Sequence, residues 1–331
     1  MESSAGIAER GTPVGGVDRP VGRGERRSPK PASPGTRSLD AKGLIAHALD
    51  YLALTKPRII SLLLWTTVAT MFVARPSGLA LSTVLWTCLG GYLAAGGAGA
   101  INHYIDRDID ARMGRTRGRP IVSGRIEPIH ALIFGIALGV IATAQLWVTI
   151  NALAAGLAMA GLLGYVLLYT AWLKPRTPQN IVIGGAAGAM PPLVGWAAAT
   201  GSLTLDAIFP FMIVFLWTPP HFWALALLIS DDYQRTGIPM LPVVRGESYT
   251  RRRILLYSLL LVAFTLIPVA TGLFGTIYLV AAAVLGLAFV VGAVRLLRRP
   301  SKQTALRLYL GSLAYLFLLF AAMAADRVIA A

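Results

Sequence analysis

Residues 79–110 read LALSTVLWTCLGGYLAAGGAGAINHYIDRDID. The part over 79–104 holds no Asp, Glu, Lys or Arg. At about 1.5 Å per residue it is long enough, as a helix, to cross a hydrocarbon core of about 30 Å. In lipid such a segment satisfies its backbone only as a helix or in a closed barrel, and 26 uncharged, mostly apolar residues without period-2 alternation select the helix. Three carboxylates and an arginine then follow within six residues. The stretch therefore predicts a membrane span that ends in a charged cluster.

Outward from there the same apolar pattern recurs. The 331 residues are 56% hydrophobic, with a mean hydropathy of +0.65. Nine spans are expected, near 57–75, 79–104, 128–149, 151–172, 180–200, 206–230, 252–273, 276–297 and 304–325. The fold class is all-α and polytopic. Ahead of the spans, residues 1–39 are rich in Arg, Pro, Gly and Ser and read as a disordered basic tail; the absence of an apolar h-region excludes a secretory signal. Residues 40–56 read as an interfacial amphipathic helix capped by Asp40, with Leu44, Ile45, Ala48, Tyr51 and Leu52 on one face. The membrane domain takes 57–331. A single cysteine, Cys88, excludes an intramolecular disulfide.

The formal charge of +15 would suit nucleic acid, but its placement argues otherwise. With the N-terminus cytoplasmic and nine spans, 28 of the 30 Lys and Arg fall on the cytoplasmic side, and only Arg75 and Arg327 on the other. That is the asymmetry of the positive-inside rule, and one span more or fewer in the middle would destroy it. The expected location is the cell membrane, with membrane lipids as surroundings, the C-terminus on the opposite side and no nucleic-acid partner.

If the helix of the second span continues, Asn102, Asp106 and Asp110 are spaced by four, turning about 40° per step, and share one face. An amide oxygen and two carboxylates are hard ligands suited to Mg²⁺, which is held by one or two carboxylates together with substrate phosphate. Asp231 and Asp232 follow the sixth span and so emerge on the same membrane face. The Arg-rich loops beside both acid clusters fit a diphosphate, whose charge metal and cations would share. The candidate anion partners are Lys56, Arg58, Arg112, Arg115, Arg119, Lys174 and Arg176, each with topology anchoring as the alternative. Tyr165 and Tyr169 stack one turn apart above Lys174 and could face an allyl cation. His221, in WTPPHFWAL about 15 Å above Asp231, either bonds a carbonyl freed by a kink at Pro219–Pro220 or contacts a large polar-edged acceptor. His103 carries the same two readings.

On LTKPR (54–58), NHYIDRDIDARMGRT (102–116), TPQNIVIGGAAGAMPPLVGW (177–196), PPHFWAL (219–225) and DDYQRTGIPMLPVVRG (231–246), the chain resembles the intramembrane prenyltransferases of the UbiA-like superfamily. YIDRDID together with DY…GIPMLPVV is most similar to the haem O synthase branch, the protohaem IX farnesyltransferases. The resemblance implies nine helices around a central cavity open toward the cytoplasmic side. It also implies Mg²⁺ as cofactor, with farnesyl diphosphate and haem b as substrates. Haem-handling or oxidase-assembly proteins are the further partners it suggests. Carried over by motif, Asn102, Asp106 and Asp110 form the first metal–diphosphate element and Asp231 and Asp232 stand in for the second, with Asp232 as a metal ligand and Tyr169 in a catalytic role. His103 and His221 are the haem-side residues. The second element departs from the superfamily's D-x-x-x-D, since Arg235 and Thr236 follow, which leaves open one or two Mg²⁺. Pro175 splits the usual pair of basic residues and leaves open whether Lys174 or Arg176 meets phosphate. Two rival classes are a sister enzyme acting on a quinone-ring acid or chlorin, and a transporter with helices broken at Met190–Pro192 and Pro219–Pro220.

Overall fold

The structure is a computed structural model and describes residues 41–331; the expected basic tail and the Asp40 cap lie outside the described residues. Every regular element in the described residues is helical. Helices α1 (Ala41–Thr55), α4 (Arg107–Arg112) and α10 (Ser230–Thr236) flank those that build the spans: α2 (Pro57–Ala74), α3 (Leu81–Ile105), α5 (Pro128–Thr149), α6 (Ala152–Leu163), α7 (Asn180–Gly188), α8 (Met190–Thr200), α9 (Ile208–Leu228), α11 (Leu241–Ala270), α12 (Thr276–Arg298) and α13 (Lys302–Ala330). A π-helix, Gly164–Leu173, extends α6, and a 3₁₀ turn, Leu205–Ala207, leads into α9. Counted as spans, nine of the described segments are long and apolar enough to cross a membrane. This multi-pass, all-helical architecture agrees with the expected count.

Three local expectations are corrected, and a fourth, the break at Met190–Pro192, is met one residue earlier. The second span does not continue as one helix through Asp110: α3 stops at Ile105, and Asp106 (φ −82, ψ −1) hinges into α4. The fifth span is interrupted at Ala189, ahead of the prolines at 191 and 192. By contrast, α9 runs unbroken through Pro219 and Pro220. The seventh helical stretch begins at Leu241 rather than near 252, because five residues form a short turn before Gly246, whose φ of 78° and ψ of 160° kink the chain.

Apolar burial does little to hold helices together in lipid, where tails are as apolar as side chains, so close packing at small residues takes over. The α3–α5 contact is built that way. A Cβ on Gly97 would lie 2.7 Å from the Gly135 carbonyl, and one on Gly135 2.9 Å from the Gly97 carbonyl. Between α2 and α8, a Cβ on Gly195 would clash with the Thr67 carbonyl oxygen, far inside contact distance. The largest core gathers α2, α9, α11, α12 and α13 around Val73, Trp217, Leu261, Tyr278 and Phe320. At the end of the bundle away from the acidic cluster, buried Asp326 of α13 caps α12 in trans, accepting from the Gly275 amide (2.6 Å) and the Tyr278 amide (3.2 Å). Asp326→Ala leaves those N–H groups unpaired and is expected to cost about 1–2 kcal/mol, read as a lowered thermal midpoint in detergent.

Candidate active site

The end of α3 sets the site. Asn102 occupies its last turn, and the hinge at Asp106 turns the chain so that Asp110, on α4, remains inside. All three side chains are buried, at 3–4% exposure. Asn102 Nδ2 donates to Asp106 Oδ2 (2.8 Å) and to the Thr170 hydroxyl (3.2 Å). Three cations from separate segments close on this group. Lys56 donates to Asn102 Oδ1 (2.6 Å), Lys174 to Asp106 Oδ2 (2.6 Å), and Arg119 pairs with Asp110.

Local backbone explains how each cation arrives. Lys56 sits between α1 and α2 with φ 58° and ψ 55°, the one non-glycine residue with positive φ among the described residues. The following proline disfavours the ordinary helical conformation there, and the left-handed turn directs the side chain to Asn102. Such strain, of order 1–3 kcal/mol, gathers at functional sites. Lys174 follows the π-helix: its amide donates to the Tyr169 carbonyl five residues back (2.9 Å). The same wide turn lets the Thr170 hydroxyl donate to the Tyr165 carbonyl (2.8 Å) while accepting from Asn102. Arg119 is presented by the folded loop 113–127, where the Thr116 hydroxyl donates to the Asp110 carbonyl (2.8 Å) and Arg125 pairs with Asp50 of α1 (2.8 Å).

Of the other expected residues, Arg58, Arg112 and Arg176 stay outside. All three are exposed. Arg112 Nε donates back to the Asp108 carbonyl, and Arg176 folds onto the carbonyls of Ala171 and Trp172. Of the two basic residues that Pro175 separates, Lys174 joins the acidic cluster and Arg176 does not. Helix α10 packs on α4, so both acid segments meet at one end of the bundle, but they contribute unequally. Asp231 points outward, 72% exposed and 3.8 Å from Lys302, and does not join the cluster. Asp232 is mostly covered and pairs with Arg235 (3.2 Å). Arg115 is exposed beside Tyr233. Tyr169 lies against Tyr165, ring centroids 5.4 Å apart, with its ring packed on Gly184.

The two histidines occupy different surroundings. His103 is buried with neither ring nitrogen partnered. His221 is buried between Trp217 and Tyr309, with centroids at 4.2 and 4.8 Å, and Nδ1 lies 2.6 Å from the Ser312 hydroxyl. The partner of Nδ1 is thus a hydroxyl on α13, not a carbonyl of α9.

Sequence reasoning missed Thr170 and Tyr233. Nothing in GYVLLYTAWL signals a π-helix, so the position of Thr170 beside Asn102 was illegible. Tyr233 follows the paired aspartates directly, and that adjacency was the available signal. It stands among Arg115, Asp106, Asp232 and Arg119, and burial first, then the nearby carboxylates, raises its phenol above 10. For Lys56, burial followed by repulsion from Arg119 and Lys174 outweighs the attraction of Asp106 and Asp110 and pulls the ammonium down to about 7.

The donor set fits a hard divalent cation. Asp106 Oδ1 is buried and without a partner, beside a second carboxylate and an amide oxygen. No group of three or more His, Cys, Asp or Glu suited to a metal exists among the described residues. A cation here would therefore complete its shell with oxygens from elsewhere, which is how Mg²⁺ is held beside substrate phosphates.

Comparison with known proteins bears on the family and the fold. The UbiA prenyltransferase family matches over residues 63–321. A protein named protoheme IX farnesyltransferase from Roseiflexus sp. (strain RS-1) is 54% identical over 90% of this chain. One of the same name from Symbiobacterium thermophilum is 55% identical over 84% of it. The chain spans 93% of the Symbiobacterium protein but only about half the length, 56%, of the Roseiflexus one. Among solved structures, a UbiA homolog from Archaeoglobus fulgidus bound to DMAPP and Mg²⁺ superposes with a TM-score of 0.59 at 16% identity, covering 83% of this chain and 99% of that one; at that identity the likeness is one of fold.

Proposed function

The chain belongs to the UbiA prenyltransferase family, and on that premise we propose that it transfers the farnesyl group of farnesyl diphosphate to a vinyl group of haem b, giving haem O. The observation that carries this reading is the buried set Asn102, Asp106 and Asp110, ringed by Lys56, Lys174 and Arg119. The names of the relatives support the choice of farnesyl and haem.

Asn102, Asp106 and Asp110, with Asp232 from α10, would hold Mg²⁺, which supplies charge stabilisation for the departing diphosphate. The rest falls to the protein. Lys174 and Arg119 already pair with the acids, and Lys56 holds the Asn102 amide oxygen. They stand ready to turn to diphosphate oxygens, with Arg115 at the rim and the hydroxyl of Tyr233 beside them. The C1–O bond of the isoprenoid breaks with its electron pair leaving on diphosphate. The vinyl carbon of haem bonds to C1, and water adds to the adjacent carbon and releases a proton, so one water is consumed per transfer. Tyr169 and Tyr165 present ring faces to the allylic cation, and the apolar bundle keeps other water away from it. His103 and His221 are the residues proposed to meet haem; since Ser312 holds Nδ1 of His221, its Nε2 is the nitrogen left for a ligand. In the cell membrane the site would face the cytoplasm, where 28 of the 30 Lys and Arg lie, with the C-terminus opposite. Haem-handling or oxidase-assembly proteins would receive the product.

Incubating the purified chain with haem b, farnesyl diphosphate and Mg²⁺ should give a haem more strongly retained on reversed-phase chromatography, and excess EDTA should abolish it. Prenylation of 4-hydroxybenzoate in place of haem would move the enzyme to a sister branch.

A further inference from the structure

Among the described residues, Asn180 is a buried side chain with both polar atoms unpartnered. Its side chain is wholly buried, 0% exposed, yet neither the amide oxygen nor the amide nitrogen has a partner. Its backbone is satisfied, the N–H donating to the Thr177 carbonyl (3.2 Å), so the anomaly belongs to the side chain alone. Burying a primary amide without hydrogen bonds is costly, and such groups in folded proteins call for a specific explanation.

Its place in the fold supplies one. Asn180 opens α7, which packs on the π-helix and is joined to it by residues 174–179, so the two run antiparallel. Gly184, one turn along the same face of α7, has its Cα against the Tyr169 ring. Lys174 lies one wide turn beyond Tyr169. Stepping back one turn on α7 and forward one turn on the π-helix brings Asn180 level with Lys174, whose ammonium reaches Asp106. The N-terminus of α7, with its partial positive charge, points to the same end and favours an anion there.

We infer that Asn180 binds the diphosphate of the prenyl substrate, its Nδ2 donating to a phosphate oxygen alongside Lys174. This rests on the reading of the site as a prenyl diphosphate site. The test uses the full chain in nanodiscs, with farnesyl thiodiphosphate as a non-reacting probe in calorimetry and steady-state kinetics for both substrates. Asn180→Leu should weaken binding of the probe and raise the KM for farnesyl diphosphate by about tenfold or more. The KM for haem should stay within about twofold, and the thermal midpoint should hold or rise, since an apolar side chain replaces an unpaired amide. Asn180→Asp should weaken the probe further, because a carboxylate faces the phosphates. Should the leucine variant not fold, Asn180→Ser carries the same expectation. Unchanged probe affinity would overturn the inference. So would equal rises in both KM values with a lowered midpoint, which indicate packing. Failure of the unaltered chain to bind the probe would instead bring down the prenyl diphosphate reading, and Asn180 with it.

Discussion

Asp106→Asn should cut haem O formation by about 10³-fold or more while the protein stays folded. The change keeps the size of the side chain and one oxygen acceptor, and removes a single negative charge. That charge is the partner of Lys174 and accepts from Asn102 through one oxygen, while its other oxygen is the buried unpartnered acceptor of the site. Removing one preorganised electrostatic contact at a reacting centre costs about 10²–10³ in rate. Here the substitution also weakens the metal set and leaves a largely buried ammonium with less compensation. Single-turnover product formation, together with a thermal melt, separates lost chemistry from lost fold. A variant within tenfold of the parent would show that Asp106 plays no direct part.

Gly195→Leu should be the most damaging single change to the fold. The α2–α8 contact is a backbone-to-backbone approach, with the Thr67 carbonyl too near for a Cβ to fit. A carbonyl oxygen cannot rotate away as a flexible side chain can. The helices must part, and buried Val194, Trp196, Ala197 and Ala198 lose their packing with them. Overpacking a core ordinarily costs about 1–3 kcal/mol; a clash against main chain belongs at or beyond the upper end. The measurement is size-exclusion behaviour and thermal midpoint in detergent. By comparison, Gly311→Leu should be tolerated, because a Cβ there meets open space. Equal behaviour of the two variants would refute the argument from close approach.

What the sequence revealed and what it hid divide along physical lines. Hydropathy is a property of long segments, so the spans at 128–149 and 276–297 could be read nearly to their ends, and the charge asymmetry independently limited their number. Asn102, Asp106 and Asp110 were visible as a group because spacing by four keeps residues on one side of a helix. The hinge between Ile105 and Arg107 was not visible, since the chain bends there without a proline or glycine. Paired prolines were an uneven guide: at 191 and 192 they mark a break, which falls just before them, while at 219 and 220 the helix tolerates them. Among the cations, composition could not separate Lys174 from Arg176. Their fates depend on the phase at which one helix ends, which is a tertiary outcome. Asp231 and Asp232 are neighbours in sequence, yet one faces out and the other in, as adjacent positions on a short helix must.

The widened helix from Gly164 to Leu173 bears on how such a protein can diverge. Because its amides reach back five residues rather than four, the segment accommodates more residues per turn than its α-helical neighbours do. Deletion of one residue would let it relax to ordinary pitch and swing Lys174 off its bearing toward Asp106. A one-residue indel in that decapeptide would thus retune the anion grip with every acidic ligand left intact, a route by which duplicated copies could drift toward new substrates.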